Sequence, residues 1–160
     1  CTAPRNAGGS GGSSGSGGSG GDDRTSPSST RPSGRASVVV RRGRATVVLR
    51  IRQPRALAAL ARVRAVLPRS LTPRRGVRPI ARTSKRIARK YVRLRGRTVQ
   101  VRLVRSTRSV LVRITQVRVS RSVQRALARR KRPVVRIAVT VVDRKGRRWR
   151  ITVSTRARRA

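Results

Sequence analysis

Apart from its hydroxyls and amines, this sequence offers acid–base, nucleophilic and metal chemistry only three carboxylates, one thiol and no imidazole. The carboxylates are Asp22, Asp23 and Asp143, and the thiol is Cys1. General acid–base catalysis needs paired groups that change protonation near neutral pH, and a hydrolytic relay needs a base beside its nucleophile. Asp22 and Asp23 are neighbours in a Gly/Ser-rich stretch, so Asp143 stands alone in the rest of the chain. Serine is plentiful, but no imidazole is present to take its proton. A zinc site needs three or four Cys, His or carboxylate ligands, and these are lacking too. The inventory reads as a non-enzyme without catalytic residues, metal, cofactor or small-molecule substrate.

What the sequence has in excess is positive charge. Lys and Arg number 44 against 3 acids, a formal net charge of +41. Lys85, Lys90, Lys131 and Lys145 are the lysines, and every other cation is arginine. The guanidinium fork grips phosphate or carboxylate in two places at once, so such a surface attracts polyanions. A high-GC coding bias enriches Arg, Ala, Gly, Pro and Val in the same way, and composition alone leaves both origins open. The field exists whichever holds, and salt weakens it.

The candidate polyanion contacts are two clusters without strand periodicity. Arg74, Arg75, Arg78, Arg82, Lys85, Arg86, Arg89 and Lys90 lie in a stretch over 68–90, punctuated by Pro68, Pro73 and Pro79, that reads as a long basic loop. Arg129, Arg130, Lys131 and Arg132 follow a short helical segment. The expected partners are anionic polymers, bound diffusely. The alternative is a nucleic-acid-binding protein acting through Arg–phosphate contacts. Single-strand binders stack bases on aromatic side chains, whereas this chain has no Phe, one Tyr and one Trp. Trp149 falls in phase with Ile151 and Val153 and reads as core.

The elements that carry these residues divide the chain in three. Residues 1–35 include the run Gly8 to Gly21, built only of Gly and Ser, and read as a disordered tether. Cys1 ahead of it is a candidate lipid-attachment residue of a processed lipoprotein; otherwise a preceding domain joins there. From 36 to 156 runs of Val, Ile, Leu and Thr alternate with Arg, the period-two signature of strands. Val47, Leu49 and Ile51 share a face after an Arg42-Gly43 turn, as do Val99, Val101 and Leu103 after Gly96. Val110, Val112 and Ile114 are followed by Val117 and Val119 in opposite parity, which predicts a bulge or break near Thr115 and Gln116, with two strands favoured. Val135, Ile137, Val139 and Val141 form the first arm of a hairpin turning at Asp143-Arg144-Lys145-Gly146. A short helix over 120–130 begins on a Ser120 cap. The stretch 55–67 reads either as a helix or as a helix finishing in a strand. Residues 157–160 read as a basic tail. No run reaches the ~18 apolar residues of a membrane helix.

The succession Val92 to Leu103 with its Gly96-Arg97-Thr98-Val99 strand start, the Ser120-Arg121-Ser122-Val123 helix start and the hairpin of Val134 to Asp143 with Gly146 carry a resemblance. The chain resembles the Arg-rich, immunoglobulin-like β-sandwich modules near the C-termini of exported proteins of high-GC Gram-positive, actinobacterial bacteria. That resemblance implies a mainly β antiparallel sandwich with one or two short helices behind a linker. It also implies a secreted or cell-surface accessory module, acting as spacer, adhesion element or electrostatic anchor to the anionic polymers of a cell wall. Some members carry a cysteine pair in the first half; this chain has none there, so no disulfide is implied.

Overall fold

The computed structural model describes residues 30–160. The tether expected over 1–35 lies outside the described residues as far as residue 29, as do Cys1, Asp22 and Asp23. The first strand begins at Ser33, ahead of the expected start at Ala36, because Gly34 is small enough to lie against the core.

Among the described residues eleven strands form two sheets. They are β1 (Ser33–Arg41), β2 (Arg44–Arg52), β3 (Leu60–Val66), β4 (Leu71–Pro73), β5 (Ile80–Arg82), β6 (Val92–Arg95), β7 (Thr98–Arg102), β8 (Ser109–Val119), β9 (Val134–Asp143), β10 (Arg148–Arg156) and β11 (Arg158–Arg159). One sheet runs β11-β1-β2-β8-β4, with β5 also on β8; the other runs β10-β9-β3-β7-β6. Every pairing is antiparallel except β1 with β11. The described residues form an antiparallel, immunoglobulin-like β-sandwich with one α-helix, α1 (Arg121–Ala128), and a 3-10 turn over Arg89–Tyr91.

The period-two pattern works as expected, since alternate residues of a strand point to opposite faces. Val38, Val47, Leu49, Ile51, Val110, Val112 and Ile114 of one sheet join Val63, Val99, Val101, Val135, Ile137, Val139 and Val141 of the other in a single buried cluster. This core has no Phe and is built mainly from β-branched side chains, which suit a pleated, buried surface.

Four expectations need correction. The stretch 55–67 holds no helix: Leu60–Val66 is β3, and a register shift between Leu60 and Arg62 disturbs the alternation there, so the leucines mimic helical spacing. The basic stretch 68–90 is not one loop, because β4 and β5 both pair with β8 and the 3-10 turn follows. Residues 109–119 form one strand rather than two; Gln116 at φ 56° takes up the parity change without ending pairing. The tail at 157–160 is tied down: Ala157 is fully buried, β11 pairs with β1, and Ala160 N–H donates to Val40 O.

The expected local signals also appear. Arg42 and Gly43 turn β1 into β2 with φ of 49° and 72°. Ser120 Oγ accepts from the Val123 amide at 3.4 Å and caps α1, which buries Val123 and Leu127. No helix among the described residues is long and apolar enough to cross a membrane.

Candidate polyanion-binding surface

The domain's one acid is built into a turn. Asp143 closes β9 with its side chain fully buried, and Oδ1 accepts from the Lys145 amide at 2.9 Å and the Arg147 amide at 2.8 Å. Oδ2 accepts from Arg147 Nε at 3.0 Å. Ionised acceptors make the stronger class of hydrogen bond, and here all three fix the β9–β10 turn. Arg147 also lies 5.7 Å from the ring centre of Trp149, which is half-buried on the inward phase of β10.

Several arginines serve the fold as carbonyl caps. Arg108 Nη1 donates to Pro54 O at 2.7 Å and Leu57 O at 2.6 Å, fastening the β2–β3 connection. Arg144 Nη2 donates to Val104 O at 2.5 Å, and Arg97 Nη1 to Leu67 O at 3.2 Å. Arg44 Nη1 donates to Gln116 Oε1 at 2.6 Å beside the bulge of β8. Gln53 is buried and gives Nε2 to Ala58 O at 3.0 Å, while its Oε1 has no partner.

The twelve candidate contact residues are all exposed. Arg74, Arg75 and Arg78 lie between β4 and β5, Arg82 ends β5, and Lys85 and Arg86 follow it. Arg89 and Lys90 are in the 3-10 turn, where Lys90 Nζ sits 5.1 Å over the Tyr91 ring. Arg129 to Arg132 join α1 to β9, with Arg130 at φ 57°. The structure distributes these cations over separate connections.

A different set of arginines comes together on the outer face of the β10-β9-β3-β7-β6 sheet. The register aligns Arg148, Val142, Arg62 and Arg102 in one row across four strands. The next row holds Arg150, Thr140, Arg64, Gln100 and Arg93. All six arginines are exposed, and among the described residues their guanidinium groups have no hydrogen-bond or ion-pair partner. Short side chains of β9 lie between the Arg columns of β10 and β3, leaving a groove of about 170 Å³ over Thr140 and Val142. Grooves of about 400 and 320 Å³ continue from it along β3 and β7, and Arg62 lines all three. The alternation of Arg with apolar residues signals an outward face in each strand; which arginines become neighbours depends on pairings between distant segments.

No family model matches the chain, and no curated protein matches it. Solved structures do share its fold. The major pilin subunit BcpA of Bacillus cereus is similar at TM-score 0.53 and 8% identity, over 79% of this chain and 40% of that one. Its D312A variant is similar at TM-score 0.56 and 9% identity, over 81% and 41%. BslA, described as a bacterial hydrophobin, is similar at TM-score 0.51 and 12% identity, over 81% of this chain and 100% of that one. The chain thus spans about two fifths of the pilin subunits it matches and the whole length of BslA, and the likeness is one of fold.

Proposed function

We propose that this chain is a non-catalytic, strongly cationic accessory module of a secreted or cell-surface protein, which binds anionic wall polymers electrostatically. The observation that carries the reading is the combination of a +41 chain with a domain whose single acid is consumed inside a turn. Among the described residues almost nothing on the surface offsets the arginines, so the field reaches any polyanion within a Debye length, about 8 Å at physiological salt. The shared fold with a pilin subunit and with BslA supports a place outside the cell.

The test is sedimentation of the purified chain with isolated Gram-positive walls, before and after acid extraction of their phosphate polymers. The reading expects binding to intact walls and its loss after extraction. Equal sedimentation with both would contradict it.

A further inference from the structure

The geometry points to the outer face of the β10-β9-β3-β7-β6 sheet, centred on Arg62, as the binding site, and to a phosphodiester polymer with an aliphatic repeat, a polyol-phosphate chain, as its occupant. This inference rests on the proposed function and adds the site and the polymer's chemistry.

The arrangement of the arginines favours this face. Arg62 stands directly opposite Arg102, as Arg35 does Arg50 on the other sheet, and among the described residues no carboxylate pairs with either member. Like charges in that position repel, so the pair gains from an anion bridging it. The opposite sheet also has outward arginines, Arg35 and Arg50 on one side and Arg41, Arg44 and Arg118 on the other, with the partly buried Val39, Thr46, Val48 and Thr115 and one exposed arginine, Arg113, between them. On the β3 side the cations instead form two columns flanking β9, about 10 Å apart at two strand spacings.

The spacing along the strands indicates the ligand. Successive outward residues of a strand, Arg62 to Arg64 or Arg148 to Arg150, are separated by six backbone bonds and about 7 Å. A three-carbon polyol phosphate also advances six bonds from one phosphorus to the next, so an extended chain lying along β9 presents successive phosphates to successive Arg rows. A nucleic-acid backbone has a similar repeat, but its bases need stacking partners. The two rows offer none: Trp149 has the inward phase, and Tyr91 lies at the rim beneath Lys90.

The experiment titrates the full chain with lipid-free poly(glycerol phosphate) at about 50 mM salt, where phosphate contacts are strongest. One variant carries Arg62→Gln, Arg64→Gln, Arg148→Gln and Arg150→Gln; a control of equal charge carries Arg74→Gln, Arg75→Gln, Arg129→Gln and Arg132→Gln. The face variant is expected to bind about tenfold more weakly or worse, and the control within about threefold of the parent. Melting of both variants at or above the parent's temperature shows that the loss is not unfolding. Equal weakening in the two variants overturns the site and leaves the proposed function standing. No binding by the parent chain overturns both. Tighter binding of poly(U), lost in the face variant, keeps the site and overturns the polyol-phosphate occupant.

Discussion

Arg62 of β3 and Arg102 of β7 face each other across an antiparallel pair on the solvent side of the sheet, and among the described residues neither guanidinium has an anionic partner. A directly opposed like pair costs a few tenths to about 1 kcal/mol. Replacing one member by the opposite charge, Arg102→Glu, removes the repulsion and adds an attraction. Thermal melting at low salt should rise by a few degrees, and the gain should shrink in about 1 M salt as screening removes both terms. An unchanged or lowered melting temperature at low salt would show that the pair carries no strain.

Asp143 supports a second expectation. Its carboxylate accepts two amides and the Arg147 side chain from a fully buried position. Asp143→Ala strips all three and should destabilise the domain by about 2–3 kcal/mol in urea melts. Asp143→Asn retains an acceptor for the amides but turns a donor toward Arg147, and should fall between the two. An Asn variant weaker than the Ala variant would contradict this division of roles.

The β1–β2 turn offers a stabilising change. Arg42 holds φ 49° without the freedom of glycine, next to Gly43 at 72°. Asn-Gly is the preferred pair for a turn with two positive φ values. Arg42→Asn should therefore raise stability by about 0.5–1 kcal/mol, read as a shift of the urea midpoint at unchanged slope.

Gly34 should behave in the opposite way. A β-carbon there would lie 2.5 Å from Val153 Cγ2 and 3.1 Å from Ile51 Cδ1, where β1 approaches β10. Gly34→Ala overpacks this contact and should cost about 1–3 kcal/mol. Combining it with Val153→Ala should recover part of the loss, because that substitution removes the closest atom.

The legibility of the sequence followed the range of the interaction. The β9–β10 hairpin was readable because Val135 to Val141 alternate cleanly and the turn lies between its two arms. The cap of α1 was readable because Ser120 acts three residues away. β3 was obscured because Leu60 and Val63 are both buried despite odd spacing, the register shift between Leu60 and Arg62 having reset the phase. β4 and β5 are three residues each and hold their places by pairing with β8, many residues later, so no local period announces them. The Arg face has the same origin. Each strand shows which side its arginines take, but Arg62 meets Arg102 and Arg148 flanks it across Val142 only through register between distant segments. The cations of 74–90 and 129–132 stood out as runs, and the structure spreads them over connections.

The central claim is that accumulated guanidinium charge on a folded sandwich, rather than chemistry at a site, is what this chain offers a partner. Its most direct measurement is the affinity for poly(glycerol phosphate) over a series of salt concentrations, plotted as log K against log salt. With one phosphate held at each of the two Arg rows, the line should have a slope of roughly −1.4 or steeper, taking about −0.7 per phosphate for a flexible single chain. A slope near zero, with affinity unchanged between low and physiological salt, would contradict the claim.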